Sequence, residues 1–149
     1  SGELMLTGRS KEIIVLASGE NIDPTRIEST ITMLPFVKDA VLVGQDQKGL
    51  GALIVPDKDM LKDYVTNKLS HLVSETEDYI NDKQVMGRVR TEINRLLHPK
   101  QGFKPYEKLR NIKFLDRDFK PGEELTNTLK KKRHVIERRY KELIEKLLK

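Results

Sequence analysis

The chain has 149 residues, which suits a single domain and is too short for most two-domain enzymes. Charged residues make up 34% of the chain and hydrophobic residues 37%, and no apolar stretch approaches the roughly 20 residues of a membrane-spanning helix. Cysteine is absent, which excludes disulfides, thiolate nucleophiles and cysteine-bound zinc and fits a reducing compartment. Three scattered histidines argue against a histidine metal cluster.

The net charge of +5 is unevenly distributed. Residues 1–99 carry a net charge of −3, whereas residues 100–149 carry +8. This asymmetry indicates either an anionic partner or a solvated helix face rich in Lys and Glu. The chain begins at Ser1 with no basic-then-apolar leader, so we expect no signal peptide and interpret the chain as a piece of a longer protein.

The first part of the chain predicts short elements. Alternating and β-branched residues over 3–7 and 11–17 predict two strands, followed by a loop over Ser18–Asn21. The next helix has Asp23 as its N-cap and reaches about Leu34, because a proline follows.

The middle of the chain predicts two strands and then two helices. The strands lie over 37–43 and 50–55 around a turn at 45–48, in the manner of a β-hairpin. Helices are predicted over 59–69 and about 76–97. The longer helix has an apolar stripe formed by Val85, Val89, Ile93 and Leu96.

The last third contributes one strand and one helix. A loop over Gln101–Tyr106 leads to a strand over 109–115 and a polar connection over Asp116–Asn127. A helix then begins at Thr128, and we interpret its apolar stripe as core. The stripe consists of Ile136, Tyr140, Leu143, Ile144 and Leu147. The predicted fold class is α+β, a small mixed sheet of a few strands packed with helices.

Two segments carry candidate chemistry, and the first lies near the N-terminus. Arg9 and Lys11 are two residues apart on an extended segment, so they share a face and could both meet an anion. Gly19 would let a backbone approach a narrow ligand closely. The alternative is an ordinary strand with polar edges and a glycine turn.

The second segment is Glu124–Arg133, which contains three consecutive lysines. A lysine reached by a polar loop could be delivered into a distant active site, where its compact ammonium would stabilise developing negative charge. The alternative is a basic helix start, which the helix dipole slightly disfavours. The register among Lys130, Lys131 and Lys132 stays open.

Nucleophile-elbow, Walker and dinucleotide motifs are absent. The segment GRSKEIIVLASGENIDPTRIE instead resembles the motif that opens the C-terminal domain of acyl-CoA synthetases, which are adenylate-forming (AMP-binding) enzymes. ELTNTLKKKR resembles the closing lysine motif of that domain in long-chain fatty acid–CoA ligases, with Leu129 where many members have glycine. The resemblance covers 1–149, and 60–105 resembles the helical insert of the long-chain type.

The resemblance implies a mobile C-terminal lid domain. In such ligases ATP and a fatty acid give acyl-AMP and pyrophosphate, and coenzyme A then displaces AMP to form the thioester. ATP and coenzyme A are substrates, and Mg2+ accompanies the ATP, bound mainly by a large N-terminal adenylation domain of the same polypeptide. That domain is absent here, so the chain alone is expected to be inactive.

The resemblance also implies residue roles. Lys130 would be the catalytic lysine that bridges the carboxylate and the α-phosphate during adenylation. Arg9 would contact the AMP or ATP, Lys11 would be the hinge, and no residue would bind a metal directly. The path of coenzyme A would be lined by Ser18, Gly19, Glu20 and Asn21.

A basic interaction module that binds nucleic acid or an anionic membrane surface is the alternative function. Four Phe and four Tyr, without aromatic residues among the lysines, argue against nucleic acid. The expected partners are therefore the N-terminal domain, fatty acid, ATP and coenzyme A, with peripheral membrane contact open and no nucleic acid. The expected location is cytoplasmic, with or without membrane association.

Overall fold

The structure, a computed structural model, describes residues 12–68, 82–128 and 130–148. Its strands are β1 (Ile14–Val15), β2 (Asn21–Ile22), β3 (Val37–Val43), β4 (Leu50–Pro56) and β5 (Leu109–Phe114). Its α-helices are α1 (Pro24–Ile31), α2 (Lys58–Lys68), α3 (Lys83–Leu96), α4 (Arg133–Arg139) and α5 (Lys141–Leu147). The predicted strand over 3–7 lies outside the described residues, as do Arg9 and Lys11.

Two sheets organise the described residues. β1 and β2 form an antiparallel pair. In the larger sheet β4 lies in the centre, antiparallel to β3 and parallel to β5. The predicted α+β class with a small mixed sheet is confirmed, and the two strands predicted around the 45–48 turn do pair.

The larger sheet is covered on both faces. Along β4, Leu50, Ala52 and Ile54 belong to a core that includes α1, α2 and α3. Leu53 and Val55 belong to a second core beneath α4 and α5. Successive side chains of a strand point to opposite faces, so every residue of β4 is buried.

Helix α1 begins as predicted and ends earlier than predicted. The Asp23 carboxylate accepts hydrogen bonds from the N–H groups of Thr25 and Arg26 at 3.1 and 3.3 Å. The helix ends at Ile31 rather than Leu34, and the following N–H groups make tighter bonds to the third residue back. Pro35 explains this end, because a proline disfavours helical geometry in the residue before it.

Helix α3 buries most of its predicted stripe. Asp82 caps its N-terminus, and the start predicted near 76 falls among the undescribed residues 69–81. Val85, Val89 and Ile93 are fully buried, but Leu97 takes the core position predicted for Leu96. Leu97 leaves the helix with φ −87° and ψ 55°, which turns its side chain back into the core.

Residues 98–108 contain more regular structure than the predicted loop. Short 3-10 turns at Pro99–Gln101 and Pro105–Glu107 bound the segment. Both turns begin with proline, whose fixed φ suits the first position of such a turn.

The C-terminal helix was predicted wrongly at its start. It begins at Arg133 rather than Thr128, and Tyr140 interrupts it. Backbone and hydroxyl groups of residues 124–126 capture the N–H groups of Lys130 and Lys132, which a helix would need. The predicted stripe is core as expected, since Ile136 and Leu147 are buried and the other three residues pack partly buried against the same cluster.

No helix in the described ranges combines the length and apolar character that crossing a bilayer requires.

Candidate active site

Lys130 lies in a short loop, residues 125–131, which we call the lysine loop. Leu125 and Lys131 pair as an isolated antiparallel bridge at its base. Thr126 donates its N–H to the Lys130 carbonyl at 2.8 Å, and the Lys130 N–H donates to the Thr126 hydroxyl at 3.1 Å. The loop therefore holds the backbone of Lys130 in place.

The side chain of Lys130 points away from this scaffold. It is exposed, and among the described residues its contacts are those of its backbone. An ammonium on a held backbone with a free side chain can reach an anionic ligand outside the domain. This is the property required of the predicted catalytic lysine.

Lys131 has a different environment. Its side chain is 20% exposed, and its ammonium lies 3.1 Å from Glu28 and 3.3 Å from Asp39. It also donates a hydrogen bond to the Ala40 carbonyl at 2.7 Å. These contacts fasten Lys131 to α1 and β3, so its charge is already used within the domain.

Arg133 forms the strongest link between the C-terminal segment and the sheet. Its two terminal nitrogens donate to both carboxylate oxygens of Glu28, at 2.8 and 3.1 Å, and Nε donates to Glu12 at 2.8 Å. Burial alone would lower the pKa of Arg133, but its interactions with Glu28 and Glu12 outweigh burial and raise that pKa above its ordinary value. The guanidinium is therefore permanently charged and bidentate.

Glu28 is the buried carboxylate on which this network converges. It accepts hydrogen bonds from the Leu42 N–H at 2.7 Å and from Arg133, and it pairs with Lys131. Sequence reasoning missed it. The available signal was a glutamate directly beside Ile27 and three residues before Ile31, on the apolar side of α1.

Glu124 is a second buried carboxylate, fully enclosed below the lysine loop. It bonds to Arg117 and Arg139 and accepts the Lys120 N–H at 3.1 Å. Burial alone would raise the pKa of Glu124, but the hydrogen bonds from Lys120 and Arg117 outweigh it and hold that pKa below its usual value. Glu124 thus organises the connection that the sequence presented only as polar.

We expect Glu124→Gln to lower the unfolding temperature by roughly 5 °C at neutral pH. The folded carboxyl has the lower pKa, so its contribution is present above the unfolded pKa of about 4.3 and is lost as pH falls through the folded pKa. The difference from wild type should therefore narrow in acid. Thermal unfolding followed by circular dichroism across this range measures it. Exposed Glu123, which meets the same two arginines, supplies the control Glu123→Gln with a smaller effect. A pH-independent difference would contradict this account.

The predicted coenzyme A segment forms the turn between β1 and β2. Leu16 and Glu20 close the turn through an N–H to carbonyl bond of 3.0 Å, and the Ser18 hydroxyl donates to the Glu20 carboxylate. Gly19 is exposed at φ +95°, a conformation that favours glycine. Asn21 was predicted in the loop, but it pairs with Val15 and begins β2.

The structure keeps the two candidate segments apart. The β1–β2 turn docks on the segment after β3, through Ala17 N–H to the Gln47 carbonyl at 2.9 Å and Asp46 N–H to the Val15 carbonyl at 2.8 Å. The lysine loop is anchored at Ala40, about 10 Å back along β3 from Val43. The domain thus presents two different surfaces.

Comparison with solved structures defines the class of fold. The A domain of carboxylic acid reductase from Segniliparus rugosus, in complex with AMP and a co-purified carboxylic acid, matches with a TM-score of 0.73 and 21% identity. The match covers 93% of this chain and 20% of that one. The fold is that of the C-terminal domain of adenylate-forming enzymes. Residues 11–75 match the sequence model of the AMP-binding enzyme C-terminal domain, and the chain belongs to this family.

Curated relatives extend the similarity across the chain. Human long-chain-fatty-acid–CoA ligase ACSBG1 is 32% identical over 97% of this chain and 22% of its own length. Long-chain-fatty-acid–CoA ligase FadD15 of Mycobacterium tuberculosis is 29% identical over 97% of this chain and 24% of its own. The chain therefore spans about a fifth to a quarter of the length of these relatives.

Proposed function

We propose that this chain is the C-terminal domain of an AMP-forming long-chain fatty acid–CoA ligase. Such an enzyme activates a fatty acid with ATP to acyl-AMP and then transfers the acyl group to coenzyme A. The similarity to long-chain ligases over nearly the whole chain supports this substrate class. The observation that carries the proposal is the exposed Lys130 on a loop whose backbone and flanks are held.

Lys130 would act in the first half-reaction. A carboxylate oxygen of the fatty acid forms a bond to the α-phosphorus of ATP, and the bond from that phosphorus to the pyrophosphate oxygen breaks. Negative charge accumulates between two anionic groups that repel each other. A preorganised ammonium there stabilises the transition state more than the separated reactants.

The β1–β2 turn would act in the second half-reaction. We assign Ser18, Gly19, Glu20 and Asn21 to the path along which coenzyme A reaches the acyl-AMP. The separation of this turn from the lysine loop supports a domain that presents one surface in each step. Lys11 would be the hinge between the two orientations, and Arg9 would contact the nucleotide.

The remaining assignments concern the rest of the enzyme. The partner is the N-terminal adenylation domain of the same polypeptide, which would hold most of the ATP with its Mg2+. We retain residues 60–105 as a helical insert within this domain, although the described part of α3 contributes to the main core. A cytoplasmic location is proposed with the same standing.

We also propose peripheral contact with an anionic membrane surface. A surface groove of about 660 Å3 between α3, β5 and α5 has Lys83, Arg90 and Lys146 around apolar side chains that include Met86 and Leu143. Cations around an apolar floor suit anionic headgroups. Co-sedimentation with phosphatidylglycerol vesicles, lost with Lys146→Glu or rising salt and kept with Lys62→Glu on α2, tests this contact.

The isolated 149-residue chain should be folded and should form no thioester from ATP, palmitate and coenzyme A. The reason is that Lys130 would have no adenylate to contact. The full-length protein should release AMP and form palmitoyl-CoA under the same conditions. Circular dichroism of the chain provides the control for folding. Thioester formation by the chain alone, or none by the full-length protein, would sink the proposed function.

A further inference from the structure

The backbone of Lys130 depends on a single neighbouring threonine. The N–H of Thr126 donates to the Lys130 carbonyl, and its hydroxyl oxygen accepts the Lys130 N–H. The same hydroxyl lies 3.1 Å from the hydroxyl of Thr128. Both polar backbone groups of Lys130 are therefore bound by one residue, and the hydroxyl contributes one of these two bonds.

The other flank of the lysine loop is held by Arg133. One guanidinium joins Glu12, which precedes β1, to Glu28 of α1, and it also donates to the Leu42 carbonyl of β3 at 3.3 Å. Arg suits this role because its planar fork of donors can satisfy two carboxylates at fixed angles, which a lysine cannot do. Three separate parts of the domain are thereby tied to the residue just beyond the loop.

We propose that Thr126 and Arg133 are positioning residues for Lys130. Thr126 sets the backbone from which the lysine side chain projects, and Arg133 fixes the base of the loop against α1 and β3. Neither residue touches the substrate. Together they present the ammonium at one position when the domain closes for adenylation, so little reorganisation is required during the reaction. This inference rests on the proposed function of Lys130.

The main test is Thr126→Val in the full-length enzyme. Valine keeps the shape of threonine and removes the hydroxyl that accepts the Lys130 N–H. Adenylation, measured by pyrophosphate exchange, should fall about tenfold, because small misplacements of a reacting group cost large factors. Conversion of supplied acyl-adenylate to thioester should not change. Thr126→Ser should restore adenylation, and Thr91→Val on α3, whose hydroxyl bonds to the Gly87 carbonyl, should have no effect.

Arg133 is tested through its more exposed partner, since replacing the buried arginine risks unfolding. The side chain of Glu12 is 50% exposed. Glu12→Gln weakens its bond to Arg133 and should slow adenylation a few-fold with little change in unfolding temperature. No slowing of adenylation would overturn the role of Arg133.

A double-mutant cycle separates positioning from a general structural role. In the Lys130→Ala background, Thr126→Val should cause no additional loss of adenylation, because the hydroxyl acts through Lys130. Additive losses, or equal losses in both half-reactions, would overturn the role of Thr126. If Lys130→Ala adenylates normally, the assignment of Lys130 fails as well. If Lys130→Ala is impaired while Thr126→Val is not, only the positioning role fails.

Discussion

Lys130→Ala in the full-length enzyme should reduce adenylation about a hundredfold, equivalent to about 3 kcal/mol of transition-state stabilisation. Lys130 is exposed, so its removal should leave the fold intact. The thioester step uses the other surface of the domain, so supplied acyl-adenylate should be converted at a near wild-type rate. Pyrophosphate exchange and single-turnover thioester formation measure the two steps separately.

The neighbouring lysines provide matched controls for this variant. Lys131→Ala removes contacts with Glu28, Asp39 and the Ala40 carbonyl, so it should lower the unfolding temperature. Lys132→Ala should affect neither half-reaction strongly. If one of these variants loses adenylation selectively while Lys130→Ala retains it, the register is wrong and the mechanism stands. If none of the three lysines matters, the role assigned to the lysine loop is wrong.

Gly19→Leu should damage the second half-reaction selectively. A side chain at this turn would occupy the path proposed for coenzyme A, and we expect thioester formation to fall roughly tenfold or more while pyrophosphate exchange survives. Within the described structure nothing lies within 4 Å of a Cβ placed on Gly19, so the substitution causes no clash inside the domain. Its intrinsic cost is backbone strain of about 1–2 kcal/mol at positive φ.

Gly122→Leu is the control for that strain. Gly122 has φ +83° and equally open surroundings among the described residues, but it lies in the connection before the lysine loop. Both half-reactions should survive in this variant. Equal damage to both half-reactions in Gly19→Leu, or the same pattern in Gly122→Leu, would show that strain rather than the coenzyme A path causes the loss.

The positions of most secondary elements followed from local sequence. The apolar runs 37–43 and 50–55 could be recognised because both faces of these strands are buried, and the Asp23 cap marked the start of α1. The stripe of α3 was visible because helical spacing puts Val85, Val89 and Ile93 on one side. Such signals depend on neighbours within a few residues, which the sequence displays directly.

The environment of the lysines was decided by tertiary structure. Nothing local distinguishes Lys131 from Lys130, because the partners of Lys131 lie about 90 residues away at Asp39 and Ala40. The late start of the C-terminal helix has the same origin. Arg133 and Lys131 bind the buried Glu28, and the bridge at the base of the lysine loop then takes the backbone groups that a helix would have used. Sequence alone therefore located the basic motif, whereas long-range ion pairs decided which of its charges stay free to act.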